Sequence, residues 1–377
     1  MKRKILIILC VFLFITATFT SFASAEEVEN VKSYYTIDAK SGYVIGGKEI
    51  EKHLPIASMV KIMTALIGFE NVENGVISMS DKVIISKNAS DMGGSQMFLE
   101  EGDEYSIEDL FKGIIVVSAN DACVQLAETI SGSQNDFVKT MNQKAKELGM
   151  DNTNFVNCTG LPANGQYSCA KDVAVMLKEL LKHEDYHKFS KIWIEDYNHP
   201  DGRVTQFVNT NKLVRFYKDC TGGKTGFTNE AGFCLAASAR RGNTDIISVV
   251  IGADSSATRF DTVKKQFEYA FANYETVNVL TQDSVNEQIS VICGKEEKVS
   301  VMPEKPYFAF CKKGEKKDLS ISVELNEKVI APVKQGQKLG KICIKEGDKN
   351  VEIALVAKND VEALNYIDIT QNIAKNW

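Results

Sequence analysis

Ser58 and Lys61 are the residues of this sequence whose types and spacing best suit nucleophilic chemistry. They lie in an apolar segment, Pro55-Ile-Ala-Ser-Met-Val-Lys-Ile-Met-Thr-Ala-Leu66, and a spacing of three places them on one face of a helix. Exposed N–H groups at a helix start favour a developing oxyanion, and a lysine whose pKa is lowered by burial can accept the serine proton. The pair therefore predicts a serine nucleophile with a lysine base.

The spacing alone is weak, because Ser168-Cys-Ala-Lys171 repeats it further along the chain. Histidine is not needed as the base of a serine mechanism here. The chain has 4 histidines, at positions 53, 183, 187 and 199, and no Gly-x-Ser-x-Gly motif. Other polar residues must decide which serine reacts.

Two further polar motifs follow in order. Ser118-Ala-Asn120 ends an apolar run at a predicted turn between helices, where both side chains can project into a cleft, although helix capping would explain them equally. Gly222-Gly-Lys-Thr-Gly226 occurs once. Glycines on both sides of a cation and a hydroxyl suit a strand edge that a substrate backbone approaches closely, with a flexible turn as the alternative.

Hydrophobic periodicity predicts the elements that must position these motifs. A hairpin is predicted at 33–47 and strands at 232–239 and 245–251. Helices are predicted at 58–70, 107–117, 121–131, 135–148, 172–182 and 261–273. Strands at both ends of a helical insert indicate one mixed α/β domain, at 26–275, whose sheet combines both ends.

The character of the sequence changes after this domain. Short alternating strands, such as 288–293, 319–323 and 351–356, recur between Gly, Asn and Lys turns. They predict a small all-β domain at 276–360. In the remaining tail, 361–377, a weak membrane-associating helix is indicated by an apolar set with one cation, Lys375: Val361, Leu364, Ile367, Ile373 and Trp377.

The first 25 residues are typical of a secretory signal peptide. Lys2-Arg-Lys4 precedes the apolar run Ile5–Phe19, and Ala23-Ser-Ala25 supplies the small residues of a cleavage site. We therefore expect an exported protein. Its formal net charge of -6 becomes more negative when the three basic residues are removed, which argues against nucleic acid as a partner.

Taken in order, Ser-x-x-Lys, Ser-x-Asn and Lys-Thr-Gly are motifs of β-lactamases and penicillin-binding proteins. The chain resembles the low-molecular-mass penicillin-binding proteins that are serine D-alanyl-D-alanine carboxypeptidases, peptidase family S11. Gly94–Gly102 is similar to the family's Gly-Ser-x-Met-Phe-Leu segment. Asn157–Pro162 with Ser168–Asp172 is similar to its Asn-x-x-Gly-Leu…Ser-x-Ala-x-Asp stretch, which makes the second Ser-x-x-Lys structural.

The resemblance implies a β-lactamase/transpeptidase-like catalytic domain with a helical insert and an all-β accessory domain, acting in the cell envelope. Ser58 would attack the penultimate D-alanine of a peptidoglycan stem peptide, Lys61 would take its proton, and Ser118 would relay a proton to the leaving D-alanine. Other implied roles are substrate binding, by Asn120, Lys224, Thr225, Gly226 and Arg259, and an oxyanion hole from the backbone N–H groups of Ser58 and Phe227.

The family likeness also bears on ligands. β-Lactam antibiotics would be covalent inhibitors, and neither a metal nor a cofactor would be required. Phe227 departs from the pattern, because many relatives have histidine after Lys-Thr-Gly.

Three alternatives stay open on the sequence. His183-Glu-Asp-Tyr-His187 matches the zinc-peptidase motif His-Glu-x-x-His, although Asp185 adds a charge beside the glutamate and Trp193 stands at the spacing of a third ligand. A β-lactamase would share all three motifs, but no Glu-x-x-Leu-Asn pattern lies between the second and third. A non-catalytic binding protein could keep the same residues as a relic site.

Cysteine usage is ambiguous. Eight of the 9 cysteines would remain after cleavage, an even number that permits disulfides in an exported protein. Buried free thiols fit the apolar surroundings equally well. Cys158 and Cys169 are the first pair to test for a bridge.

Overall fold

A computed structural model of the 377-residue chain describes residues 2–5, 28–315, 319–346, 349–368 and 370. Strand β1 (Lys2–Ile5) lies within the predicted signal peptide, most of which falls outside the described residues, as do Ile373 and Trp377 of the tail. The chain divides into two compact units between Asn273 and Tyr274, close to the predicted boundary.

The first unit is built around a five-stranded antiparallel sheet. Its strands are β2 (Ser33–Asp38), β3 (Val44–Lys48), β8 (Cys220–Thr228), β9 (Gly232–Arg241) and β10 (Thr244–Ala253). They lie in the order β3-β2-β10-β9-β8, which confirms that the sheet combines both ends of the domain. β8, which carries Lys-Thr-Gly, is therefore an edge strand.

Two hairpins that the periodicity did not predict complete the strands of this unit. One pairs β4 (Lys82–Ile84) with β5 (Glu104–Ser106), and the other pairs β6 (Ile194–Asn198) with β7 (Val204–Val208). These strands are short and expose apolar side chains such as Ile84 and Val204. Their sequences therefore look like those of loops, without the alternation of apolar and polar residues that identifies a strand.

The helical insert lies between β3 and β8 in the chain. A 3-10 turn (Ala57–Val60) leads into α1 (Lys61–Glu73), and a π-helical turn (Gly113–Val117) continues α3 (Ile107–Lys112). The other helices are α2 (Lys87–Ser90), α4 (Asn120–Ser131), α5 (Gln134–Glu147), α6 (Ala170–Leu180), α7 (Glu184–Ser190), α8 (Leu213–Phe216) and, after the sheet, α9 (Ser256–Asn273). The predicted helices agree within a few residues, and α9 begins earlier than predicted.

Helix α1 carries the site into the core of the domain. Every residue from Lys61 to Phe69 is buried, as expected for a helix that is apolar all round. Phe69 stacks on Phe111 of α3 with 4.1 Å between ring centroids. Such packing holds α1, which begins at Lys61 directly after the turn that carries Ser58.

The second unit is all-β, as predicted. Its strands are β11 (Tyr274–Leu280), β12 (Gln288–Ile292), β13 (Lys298–Pro303), β14 (Tyr307–Lys312), β15 (Leu319–Asn326), β16 (Lys328–Ile330), β17 (Lys338–Glu346) and β18 (Lys349–Ala357). Seven strands form one sheet, in the order β1-β15-β17-β18-β13-β12-β16, and β11 pairs with β14. Val361 is buried in this unit and bridges to Val333, so the unit extends into the predicted tail.

None of the helices in the described residues is both long enough and apolar enough to span a bilayer.

Candidate active site

Ser58 and Lys61 lie where the 3-10 turn passes into α1. The Nζ of Lys61 is 3.0 Å from the Oγ of Ser58 and 2.6 Å from the carbonyl oxygen of Thr159. Ala57 has a φ of +48°, in the left-handed region that residues with a Cβ rarely adopt, and this turns the chain immediately before Ser58. The predicted nucleophile and its predicted base are thus in direct contact.

Burial lowers the pKa of both lysines of the site. The side chain of Lys61 is 1% exposed, and burial lowers the pKa of its ammonium group. Lys224 lines the same small cavity, and burial followed by the charge of Lys61 lowers the pKa of Lys224 well below its usual range. For Lys61, burial favours the neutral amine, the form that can accept a proton, while the nearby Asp121 carboxylate acts in the opposite direction.

Ser118 and Asn120 lie at the break between the π-helical turn and α4. Ser118 is buried in the left-handed region, with φ 66° and ψ 34°. The backbone N–H of Asn120 donates to Ser95 O and its Nδ2 donates to Gly93 O, both at 2.7 Å. Its buried Oδ1 has no hydrogen-bond partner among the described residues. Because an unpaired buried acceptor costs free energy, this oxygen is suited to an N–H donor of a ligand.

Strand β8 carries Lys-Thr-Gly along the open sheet edge beside Ser58. A Cβ added at Gly226 would lie 2.7 Å from a backbone carbonyl oxygen of the adjoining segment and 3.1 Å from the amide nitrogen of Ser58. Lys224 and Thr225 are each 5% exposed, and Thr225 Oγ1 donates to Thr210 Oγ1 at 2.7 Å. Glycine at 226 therefore allows the backbones of β8 and Ser58 to approach each other.

The side chain of Arg259 contacts the backbone of β8 and of its neighbour β9. One guanidinium nitrogen, Nη1, donates to the carbonyl oxygens of Gly226 and Cys234, at 3.0 and 3.2 Å. The side chain is buried, and its Nε has no partner among the described residues. Its implied contact with a substrate carboxylate stays a prediction.

Phe227 forms the outer side of this edge. Its ring is 51% exposed and packs on Phe233, its cross-strand partner on β9, with 4.4 Å between ring centroids. A relative with histidine at this position has a titratable imidazole there, whereas this chain has an apolar ring.

Ser168 and Lys171 do not form a second site. Ser168 is fully buried, and its Oγ lies 2.8 Å from Thr153 Oγ1. The Nζ of Lys171 forms an ion pair with Glu51 at 2.6 Å, and this contact raises the pKa of Lys171. The two side chains have separate partners, in agreement with the structural role that the resemblance implies.

The histidines of the His-Glu-x-x-His segment also have separate partners. The Nδ1 of His183 lies 2.7 Å from Glu73 Oε1, and the Nε2 of His187 lies 3.0 Å from the carbonyl oxygen of Leu181. Among the described residues, the two histidines and the glutamate of this motif do not come together as a group that could hold a metal.

Tyr186, an unspecified position of that motif, is the residue of this segment that touches the site. Its buried hydroxyl accepts a hydrogen bond from the backbone N–H of Gly223 at 2.8 Å. Gly223 has a φ of +140°, and a Cβ there would lie 2.3 Å from Ala236 O. Tyr186 therefore holds β8 just before Lys224. The sequence gives no signal for this contact, because a buried aromatic residue at helical spacing looks like any core residue.

Asp121 was also missed. Its carboxylate accepts the backbone N–H groups of Met97 and Leu99, each at 3.1 Å, and it is buried. Burial raises the pKa of Asp121, while these hydrogen bonds act in the opposite direction. Asp121 thereby ties the Gly94–Gly102 segment to the start of α4. An acidic residue in the first turn of a helix was the available signal, but it does not say what the carboxylate binds.

The eight cysteines of the described residues are free thiols, so Cys158 and Cys169 are not bridged. Cys158 is fully buried. The Sγ of Cys169 accepts the backbone N–H of Asp172 at the start of α6, and burial raises the pKa of Cys169 to about 12. For Cys158 and Cys169, the structure therefore agrees with the alternative of buried free thiols and not with a disulfide.

A serine–lysine pair at the start of a buried helix, beside an edge strand with Lys-Thr-Gly, defines a serine acyl-transfer enzyme of the penicillin-binding class. Residues 20–255 match the family described as D-alanyl-D-alanine carboxypeptidase, peptidase S11, and residues 274–363 match the C-terminal domain of penicillin-binding protein 5. The chain belongs to this family of serine carboxypeptidases.

Individual relatives support the assignment over the whole chain. The D-alanyl-D-alanine carboxypeptidase DacF of Bacillus subtilis is 38% identical, covering 100% of this chain and 99% of its own length. Penicillin binding protein 5 of Haemophilus influenzae has a TM-score of 0.72 at 30% identity, covering 90% of this chain and 100% of that one. Penicillin-binding protein D2 of Listeria monocytogenes, solved in its cefotaxime-bound form, has a TM-score of 0.58 at 29% identity, covering 64% and 97%.

Proposed function

We propose that the protein removes the terminal D-alanine from peptidoglycan stem pentapeptides. The observation that carries the proposal is the 3.0 Å contact between Ser58 Oγ and the Nζ of Lys61, whose pKa is lowered by burial. Ser58 attacks the carbonyl carbon of the penultimate D-alanine, and neutral Lys61 accepts the hydroxyl proton. The backbone N–H groups of Ser58 and Phe227 stabilise the resulting oxyanion.

Collapse of this intermediate breaks the peptide C–N bond and leaves an ester on Ser58. The proton taken by Lys61 passes through Ser118 to the departing amine of D-alanine. Water then attacks the ester carbon, which releases the shortened peptide and restores the serine hydroxyl. Each step is acid–base or acyl-transfer chemistry of side chains of this protein, and none requires a redox partner.

The terminal carboxylate of the substrate is bound by Lys224 and Thr225. A bound carboxylate favours the charged form of the buried Lys224, and the Thr225 hydroxyl lies beside it on the edge strand next to Ser58. The free Oδ1 of Asn120 accepts the N–H of a substrate amide. A β-lactam presents a reactive carbonyl and a carboxylate in the same way, so it acylates Ser58.

The cellular setting follows from the same proposal. The signal peptide directs the chain to the cell envelope and is cleaved after Ala25, and there the trimming of stem peptides contributes to peptidoglycan synthesis and cell shape. N-terminal sequencing of the protein from the extracytoplasmic fraction tests the cleavage site.

Peripheral membrane contact is proposed for the tail, in which Tyr366 and Ile367 are 81% and 65% exposed. Loss of vesicle binding when residues after 363 are removed would support it, and unchanged binding would exclude it.

The decisive assay for the activity uses diacetyl-Lys-D-Ala-D-Ala and purified protein. We expect release of D-alanine, blocked by prior incubation with benzylpenicillin. Ser58→Ala should lower the rate by about 10³-fold or more, and Ser168→Ala, the matched control, should leave it within about twofold. A penicillin adduct without D-alanine release would favour a binding protein. Rapid turnover of the antibiotic would favour a β-lactamase.

A further inference from the structure

Arg259 binds the carbonyl end of the Gly226–Phe227 peptide group, whose N–H end is proposed to face the substrate. The carbonyl oxygen of Gly226 and the N–H of Phe227 belong to one peptide group. Arg259 Nη1 donates to that oxygen at 3.0 Å. The proposed oxyanion donor is the N–H of the same group.

The geometry of the strand separates the two ends of this group. In a trans peptide the C=O and N–H point in opposite directions. Arg259 Nη1 lies against the facing residues Gly226 and Cys234 of β8 and β9, because it donates to both of their carbonyl oxygens. The Phe227 N–H is therefore turned to the free edge of the sheet, where the amide nitrogen of Ser58 also lies.

The surroundings of Arg259 keep its charge effective over this short distance. The side chain is 9% exposed, and the rings of Phe233 and Phe260 lie 5.4 and 4.9 Å from the guanidinium carbon. Burial lowers the pKa of Arg259 from its usual range. A guanidinium remains protonated in proteins, and a hydrogen bond from a cation is about twice as strong as a neutral one.

We propose that Arg259 is a positioning residue for the oxyanion hole: it orients and polarises the Gly226–Phe227 peptide group, which makes the Phe227 N–H a stronger donor to the oxyanion. Hydrogen bonds in a chain strengthen one another by roughly 10–30% per bond. The inference rests on the proposed function, and it gives Arg259 a role different from binding the substrate carboxylate.

The test measures the ester carbonyl of the acyl-enzyme by isotope-edited infrared spectroscopy. Full-length protein is acylated with benzylpenicillin labelled at the β-lactam carbonyl. A stronger oxyanion hole shifts this carbonyl stretch to lower wavenumber, so Arg259→Gln should raise it and slow acylation by about tenfold. Arg259→Lys, which keeps the cation, should raise it less. A polarising role predicts these shifts, whereas a purely structural one does not.

Arg241→Gln is the matched control. Arg241 is an arginine near α9 that pairs with Asp219 and Glu268 and lies over the ring of Phe271, away from Gly226. Its loss should leave both the carbonyl frequency and the acylation rate unchanged. A shift of the same size in Arg241→Gln would overturn the inference.

The methyl ester of benzylpenicillin separates the two roles of Arg259. If Arg259 acts through the peptide group, Arg259→Gln should slow acylation by the free acid and by the ester to the same extent. A loss confined to the free acid, or an unshifted carbonyl band in both Arg259 variants, overturns the inference and leaves the proposed function intact. If the wild-type protein forms no adduct and releases no D-alanine, both fail.

Discussion

The catalytic domain contains the Ser-x-x-Lys spacing twice, and the two copies have opposite fates. Lys61 is 1% exposed and contacts Ser58, whereas Lys171 pairs with Glu51 at the surface and Ser168 is buried with Thr153. The pKa of Lys61 is lowered by burial, and the pKa of Lys171 is raised by its hydrogen bond to Glu51. Spacing brings a serine and a lysine near each other, but the surroundings decide whether the lysine can be a base.

The difference follows from the helices that carry the two lysines. The first nine residues of α1, Lys61–Phe69, are all buried, so Lys61 has no surface to reach. Helix α6 is amphipathic, and a lysine in its first turn can extend to water and to a carboxylate. A lysine at a helix start becomes a base where burial removes the solvent that would stabilise its charge.

Removal of each lysine should give the largest contrast. Lys61→Ala deletes the proposed base, and we expect acylation by benzylpenicillin to slow by about 10³-fold. Lys171→Ala should stay within about twofold of wild type. The measurement is the rate of adduct formation by mass spectrometry. Comparable losses in the two variants would break the comparison.

The pH dependence should come from Lys61. Because the neutral amine is the active form, the acylation rate should rise as pH passes upward through the lowered pKa of Lys61. Folding follows the same sign: between the folded and unfolded pKa values the unfolded chain binds more protons, so stability rises with pH across that window.

Stopped-flow acylation from mildly acidic to alkaline pH measures this profile, with Lys171→Ala as the control that should leave it unchanged. A rate that falls as pH rises over this range would contradict a lysine base.

Tyr186→Phe tests the role of strand β8, which lies beside Ser58 and not beside Ser168. The change leaves the buried N–H of Gly223 without its acceptor. We expect a loss of about 1–3 kcal/mol in the free energy of unfolding and about a tenfold rise in KM for the tripeptide, because the backbone before Lys224 loosens.

Tyr105→Phe is the control, since its buried hydroxyl lies 2.8 Å from His199 Nδ1 and away from β8. It should cost similar stability with KM unchanged. Equal KM values in the two variants would show that the hydroxyl of Tyr186 does not position β8 for substrate binding.

The second Ser-x-x-Lys should matter only for stability, and least of all. Ser168→Ala removes a partly buried hydrogen bond to Thr153 and should cost about 1 kcal/mol in urea unfolding. Lys171→Ala breaks an exposed ion pair and should cost less than about 1 kcal/mol. Loss of D-alanine release in a folded Ser168→Ala variant would show that the structural interpretation is wrong.

Hydrophobic periodicity was sufficient to predict the main helices and strands of the catalytic domain. Residues 58–70 and 121–131 are long and strongly periodic, and the structure has helices there. The alternation at 232–239 and 245–251 likewise became β9 and β10. The ordered motifs also predict Ser58 as the nucleophile, because Ser58, Asn120 and Lys224 belong to motifs on three different elements that follow one family pattern.

What could not be predicted depends on contacts between distant segments. Thr159 and Thr210 enter the site through a backbone carbonyl and a hydroxyl, groups that leave no pattern in a sequence. Tyr186 looked like the spacer of a zinc motif, and its bond to Gly223 exists only once α7 packs against β8. The bond from Arg259 to Gly226 likewise needs α9 folded onto the sheet.

The central claim is that Ser58, and not Ser168, is the nucleophile. The most direct measurement is peptide mapping by mass spectrometry of the full-length protein after brief reaction with benzylpenicillin and acid quenching. We expect one adduct, on the peptide that contains Ser58, which should be absent from Ser58→Ala and retained in Ser168→Ala. An adduct on the peptide that contains Ser168, or one that survives in Ser58→Ala, would contradict it.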